Sequence, residues 1–280
     1  MMADALCGAS GDGALPSVVF SDVDGTVLNA EHRVSPRTAA AAQALAEHGV
    51  PLVLVSARMP EALEEIRREL GCSGPTVCYS GAYVIDAAGE ELLSRPIALG
   101  CALEMHDYVA CAFPELCCMA YGYHAWVTSD RRDPRVAREE RIVGVESVEG
   151  TLEEHFSERG LHKFLLAGEP AAIERAEREL GAAFPQLSVV RSSSILCEVM
   201  DGRASKTEGI GAVCEHLGVS LERAAAFGDG RNDIDMLRAV PQSWAMANAP
   251  AEVRAAAAHV TALDNDHDGL AETIFLLLED

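Results

Sequence analysis

The stretch Val18-Val-Phe-Ser-Asp22-Val-Asp24-Gly-Thr-Val-Leu28 decides the fold class of this 280-residue chain. Its apolar, β-branched opening predicts a buried strand, and two carboxylates one residue apart end it. In an open α/β sheet ligands gather beyond the carboxyl ends of the strands, so Asp22 and Asp24 mark a candidate site. Carboxylates so placed repel one another and cost desolvation unless a cation or proton compensates them. Magnesium suits such a place, because it takes oxygen ligands, needs one or two protein carboxylates, and fills its other positions with water and phosphate oxygens. The competing reading is an Asx turn in which Asp24-Gly25 does no more than close a loop.

Outward from this segment, strand and helix signals alternate. Ser35-Pro36 supplies an N-cap and an N1 proline for an Ala-rich helix that Gly49 closes. Residues 51–55 form a second apolar strand ending at Ser56, a helix follows to about Gly71, and residues 77–79 make a third strand leading into Ser80-Gly81. This order predicts a doubly wound, Rossmann-like parallel sheet with right-handed crossovers. The next hundred residues differ in texture: a hairpin around Ala87-Ala88-Gly89, a strand at 163–167, a helix from Pro170 to Leu180 and an extended segment at 187–190 predict an inserted α+β cap. From Leu196 the first texture resumes. Ser205 and Glu208 form an S-x-x-E capping box with Lys206 in the first turn, and a strand at 224–227 runs into Gly228-Asp229-Gly230-Arg231-Asn232-Asp233. The expected division is a disordered leader over 1–16, a catalytic core over 17–85 and 193–280, and a cap over 86–192.

Composition narrows the function. Asp and Glu number 44 against 22 Lys and Arg, a formal charge of −22 that repels nucleic-acid backbones and anionic lipid surfaces. A phosphorylated substrate therefore needs local cations: a metal, a lysine or helix N-termini. No apolar stretch approaches the roughly 18 to 20 residues that cross a bilayer, and the start carries no secretory pattern, so no membrane association and a cytoplasmic location are expected. The nine cysteines include no Cys-x-x-Cys pair and are read as reduced, mostly core residues.

Four element ends thus carry polar residues that one sheet edge could gather: Asp22 with Asp24, Ser56, Lys206, and Asp229 with Asn232 and Asp233. A lysine in a first helical turn opposes the helix dipole unless an anion shares its site. Together the four describe phosphoryl transfer: a carboxylate nucleophile, a metal, and hydroxyl and ammonium donors for phosphate oxygens.

In this order the segments Asp22-Val-Asp24-Gly-Thr26, Ser56-Ala-Arg58, Lys206 and Gly228-Asp229-Gly-Arg-Asn232-Asp233 resemble the four motifs of the haloacid dehalogenase-like hydrolases. The insertion between the second and third motifs is similar to the large α/β cap of the Cof-like branch. Met246-Ala-Asn248-Ala-Pro250 and Asp266-His-Asp-Gly269 resemble that branch's C-terminal stretch. The resemblance implies a magnesium-dependent phosphatase acting on small phosphorylated metabolites, such as sugar phosphates, through an aspartyl-phosphate. It makes Asp22 the nucleophile and Asp24 the proton carrier. It assigns Mg2+ to the Asp22 carboxylate, the Asp24 carbonyl and Asp229, and the phosphoryl group to Ser56, Lys206 and Asn232. Asp233, Arg58, Ser80 and Gly81 are implied supports, with Asp233 pairing Lys206.

The chain departs from the family pattern at Ala57, at Ser80 and at Thr207, where relatives often carry Gly, Asn and Gly. A phosphomutase is the alternative, and it needs a cap that holds a second phosphate. The run Arg131, Arg132, Arg135, Arg138 and Arg141 lies among Asp130, Asp133, Glu139 and Glu140, the pattern of a solvated helix face. A receiver-like phospho-acceptor without turnover is a third reading. Oligomeric state is not legible in the sequence.

Overall fold

A computed structural model describes residues 15–157 and 159–279. Of the leader expected over 1–16, residues 1–14 lie outside the described residues. The strands in chain order are β1 (Val18–Ser21), β2 (Leu52–Val55), β3 (Thr76–Cys78), β4 (Tyr83–Ile85), β5 (Glu91–Ser94), β6 (Cys117–Gly122), β7 (Ala125–Thr128), β8 (Val148–Glu149), β9 (Lys163–Ala167), β10 (Leu187–Arg191), β11 (Leu196–Asp201), β12 (Ala224–Gly228), β13 (Gln242–Ala245) and β14 (His259–Val260). The helices are α1 (Pro36–Glu47), α2 (Pro60–Leu70), α3 (Leu99–Ala112), α4 (Pro134–Val143), α5 (Leu152–Phe156), α6 (Pro170–Ala183), α7 (Lys206–Leu217), α8 (Ile234–Ala239), α9 (Ala251–Arg254) and α10 (Gly269–Glu279).

One sheet runs β14-β13-β12-β1-β2-β3-β4-β5, parallel from β14 to β3 and antiparallel through the β3-β4-β5 turns. Strand β1 lies between β12 and β2, which is why its residues are apolar without alternation. Val19 packs into a cluster with Ala41 and Leu45 of α1, Leu63 of α2 and Ile274 of α10. Val18 and Phe20 point the other way, onto Ile210 and Val213 of α7 and Met236 of α8. Helices thus cover both faces, the doubly wound arrangement expected. The helix ends follow the sequence signals. Ser35 caps α1 by accepting from Thr38 N, and Gly71 and Gly218 close α2 and α7 in the left-handed conformation.

The second sheet runs β10-β11-β9-β6-β7-β8, antiparallel except for β7 with β8. Its outer face packs on α3, α5 and α6 through Phe164, Leu166, Met105, Phe156 and Ile173. Met119, Tyr121, Trp126 and Leu165 instead join the cluster that continues into the first sheet's helices. This is the inserted α+β cap of the expected fold class.

Two details differ from the sequence reading. Hairpin strand β5 stays paired with β4 in the first sheet, and β11 pairs with β9 and β10 in the second. The chain therefore leaves the first sheet after Ser94 and returns after Asp201, later than the 85/86 and 192/193 divisions expected. An apolar strand pattern fixes that a segment is extended; its hydrogen-bonding partner, which local texture does not encode, decides which sheet takes it. The capping box at α7 also forms by half. Ser205 Oγ accepts from Glu208 N at 3.1 Å, but the Glu208 carboxylate turns away to Arg95, with Oε1 3.0 Å from Nε and 2.5 Å from Nη2.

Candidate active site

The carboxyl ends of β1 and β12 lie side by side, and their loops meet. Asp22 N donates to Phe227 O at 2.9 Å, so Asp22 is seated by the neighbouring strand. The chain then turns at Gly25, whose φ is +82°, and a Cβ placed there would lie 2.3 Å from Asp229 Oδ2. Glycine is required twice over, for the backbone angle and for the close approach of that carboxylate. Thr26 Oγ1 donates to Asp229 Oδ1 at 3.0 Å, and Asn248 Nδ2 reaches Asp229 Oδ2 at 3.3 Å and Gly25 O at 2.9 Å.

Lys206 is the first residue of α7, and its side chain is 0% exposed. Its ammonium donates to Asp22 Oδ1 and, at 2.6 Å, to Asp233 Oδ1. The other Asp233 oxygen accepts from Asp229 N at 3.0 Å and Gly230 N at 2.8 Å, which ties the β12 loop to α7. Helix α7 comes this close because Gly81, at φ +95°, leaves no side chain; a Cβ there would stand 1.9 Å from Ser205 O. Ser80 is likewise left-handed, at φ +52°, and its amide donates to Ser56 O at 2.8 Å. Ser80 and Gly81 therefore shape the floor of the site.

Ser56 is buried at the end of β2, its Oγ accepting from Arg58 N at 3.1 Å. Arg58 grips Asp24 with two prongs, Nε to Oδ2 at 2.9 Å and Nη2 to Oδ1 at 2.5 Å. Asn232 is exposed in the turn before Asp233. Asp22, Ser56, Lys206 and Asp233 are thus buried, Asp229 and Arg58 half-buried, and Asp24 and Asn232 exposed toward the opening.

Among the described residues, Asp22, Asp229 and Asp233 bring carboxylate oxygens within 4.8 Å of one another, as a metal ion requires. Burial raises the Asp22 carboxyl well above its usual range, with the charges of Asp233 and Asp229 adding to this and Lys206 opposing it through its charge and its hydrogen bond. Asp229 is pushed up to about 6, by burial first and by Asp233 next. Burial opposes the charge on Lys206, but Asp22 and Asp233 outweigh it and hold the ammonium protonated. With all three ionised, the carboxylates outnumber the one ammonium by two charges, the complement of a divalent cation. The donor set is all oxygen, as Mg2+ prefers.

The family model described as haloacid dehalogenase-like hydrolase matches residues 19–274, nearly the whole described chain. The chain belongs to the haloacid dehalogenase-like hydrolases. It is 34% identical over 262 residues to the "Putative phosphatase" of Haemophilus influenzae, covering 94% of this chain and 97% of that one. It is 25% identical over 230 residues to the HMP-PP phosphatase of Serratia proteamaculans, covering 81% of this chain and 82% of that one. A haloacid dehalogenase-like hydrolase from Bacteroides thetaiotaomicron superposes with a TM-score of 0.85 at 25% identity, over 94% and 99% of the two chains.

Three polar residues that touch this hydrolase's site were not singled out from sequence: Thr26, Asn248 and Lys163. Thr26 and Asn248 sit inside recognised motifs, so only their contacts were missing. Lys163 lies on cap strand β9 and carried no local signal. Three arginines of the run pair with acids of their own segment: Arg131 with Glu140, Arg132 with Asp130 and Arg135 with Asp133. Among the described residues no helix is long and apolar enough to cross a membrane.

Proposed function

We propose that this hydrolase is a magnesium-dependent phosphatase of small phosphorylated metabolites, working through an aspartyl-phosphate on Asp22. The observation that carries the reading is the buried carboxylate cluster with its single lysine at the end of β1, where Asp22 meets Asp229, Asp233 and Lys206. Mg2+, held by the Asp22 carboxylate, the Asp24 carbonyl and Asp229, would neutralise charge between nucleophile and phosphoryl oxygens.

The chain's own residues supply the rest. An Asp22 oxygen attacks phosphorus as the bond to the leaving oxygen breaks, and Asp24 gives that oxygen a proton. Water then attacks the aspartyl-phosphate, Asp24 takes its proton, and inorganic phosphate leaves with Asp22 restored. Lys206 and Ser56 hold phosphoryl oxygens through both steps, with Asn232 at the opening. Asp233 keeps Lys206 oriented. The cap is joined to this end of the first sheet by Tyr79 Oη donating to Tyr123 O at 3.0 Å, and a cap closing over the site would favour small leaving groups over phosphoproteins. Similarity to an enzyme named for HMP-PP supports a small-metabolite substrate.

The test is release of inorganic phosphate by the purified protein with MgCl2, from p-nitrophenyl phosphate and a panel of phosphorylated metabolites. Turnover that EDTA removes reversibly and Asp22→Asn abolishes, with the circular dichroism of the native fold retained, is expected. No release from any member of the panel, or full activity in Asp22→Asn, overturns the proposal.

A further inference from the structure

The loop that follows β2, Ser56-Ala57-Arg58, is held by the core at three backbone groups of its two end residues. Ser56 N donates to Val77 O at 2.9 Å, Ser56 O accepts from Ser80 N at 2.8 Å, and Arg58 O accepts from Tyr79 N at 3.1 Å. The Ala57 carbonyl takes its hydrogen bond from the cap instead: Lys163 Nζ on β9 donates to it at 2.6 Å. Lys163 is 6% exposed, and its ammonium faces the Tyr121 ring at 5.1 Å and the Tyr79 ring at 6.0 Å. Its nearest carboxylate, on Glu198 of neighbouring strand β11, is 3.7 Å away, an ion pair too long for a hydrogen bond.

A buried ammonium whose short hydrogen bond goes to a loop carbonyl outside the cap is an expensive choice for cap packing alone. A methionine would fill the same space without desolvating a charge. What the charge supplies is direction. The carbonyl it grips lies between Ser56, the proposed phosphoryl donor, and Arg58, which clamps Asp24.

We propose that Lys163 is a positioning residue that couples cap closure to catalysis: seating its ammonium on Ala57 O fixes the loop that aims Ser56 and, through Arg58, Asp24. With the cap away, Ala57 O loses this partner and the loop is held by its ends only. The device makes proton transfer from Asp24 efficient when the cap is down and water is excluded.

This inference rests on the phosphatase reading for its kinetic arm and stands without it for its structural arm. In the kinetic arm, Lys163→Met and Lys163→Arg are compared with wild type on an alkyl phosphate, whose leaving oxygen needs the proton from Asp24. For Lys163→Met, kcat falls on the order of tenfold to a hundredfold while KM changes by less than about threefold, and Lys163→Arg, which keeps a charged donor, recovers most of the loss. A rise in KM with kcat held, or unchanged constants, overturns the proposal. In the structural arm, hydrogen exchange is followed without substrate. The amides of Arg58, Tyr79 and Ser80 exchange faster in Lys163→Met, while those of β1 and β12 do not change. Unaltered exchange at those three amides overturns the coupling whatever the kinetics, and Lys163→Gln serves in the same assay if Lys163→Met does not fold. A wild type without phosphatase activity removes the function proposed above and leaves the exchange arm to decide on Lys163.

Discussion

Lys206 and Asp233 form an ion pair of 2.6 Å in which neither side chain is exposed to solvent. The pair is held at both ends. Asp233 spends its second oxygen on two backbone amides, and Lys206 spends a second donor on Asp22. Removing the ammonium strands three neighbouring carboxylates in a buried site. Lys206→Met is therefore expected to abolish phosphatase activity and to destabilise the metal-free protein by about 3–5 kcal/mol, the usual result of breaking a buried pair from one side. Urea denaturation with EDTA present measures it. A midpoint within error of wild type would mean the carboxylates find another counter-charge.

Gly25 and Asp229 give a second prediction. Gly25→Ala puts a methyl at 2.3 Å from Asp229 Oδ2 and forces a side chain onto a φ of +82°. The backbone cost is roughly 1 kcal/mol or more, and the larger effect is that Asp229 must move away from Asp22. Activity should fall on the order of 100-fold, with a weaker response to MgCl2, while the protein still folds. Titration of activity against MgCl2 reads the shift; an unchanged half-saturation point would remove Asp229 from the metal site.

How much of this site was legible in the sequence depended on whether a residue's partner was near in the chain or recognisable by motif. Asp22, Asp24, Ser56, Lys206 and Asp229 each end a strand or open a helix, so strand ends and caps located them before any coordinates. Ser80 and Gly81 were located also, but their work is visible only in space: the left-handed pair lets Ser205 come within a Cβ's reach of Gly81. Lys163 was not legible, because its partner is a backbone carbonyl 106 positions away, in the loop that follows β2. The sheet assignment of β11 failed to show for the same reason. Its apolar alternation suits either sheet, and only hydrogen bonding to β9 and β10 decides.

Arg58 and Asp24 yield a prediction about leaving groups. The two-pronged grip orients the Asp24 carboxyl, and Lys cannot reproduce its geometry. If Asp24 protonates the leaving oxygen, poor leaving groups depend on that orientation and good ones do not. Arg58→Ala and Arg58→Lys should thus lose about 10-fold to 100-fold in kcat on an alkyl phosphate, and far less on p-nitrophenyl phosphate, whose phenolate leaves without a proton. Equal losses on both substrates would place Arg58 on the substrate instead of on Asp24.

The raised carboxyls predict how pH and magnesium act together. Asp229 stands at about 6, through burial and then Asp233, and Asp22 is raised in the same direction. In the unfolded chain such a group titrates near pH 4. Between these values the native state holds a proton that the unfolded chain has released, so this site's contribution to stability falls as pH rises through about 4 to 6. Mg2+ binds the ionised carboxylates and reverses the trend, since binding must displace whatever proton remains. Differential scanning fluorimetry with and without MgCl2 should show little separation near pH 5 and a rise in Tm of a few degrees near pH 7.5. Comparing the two curves at each pH cancels the exposed acids, which titrate alike in both. Asp229→Asn removes one carboxylate charge and should raise the metal-free Tm above pH 6 while flattening the response to magnesium. A magnesium shift of equal size at both pH values, or one that survives Asp229→Asn, would put the cation elsewhere on this acidic surface.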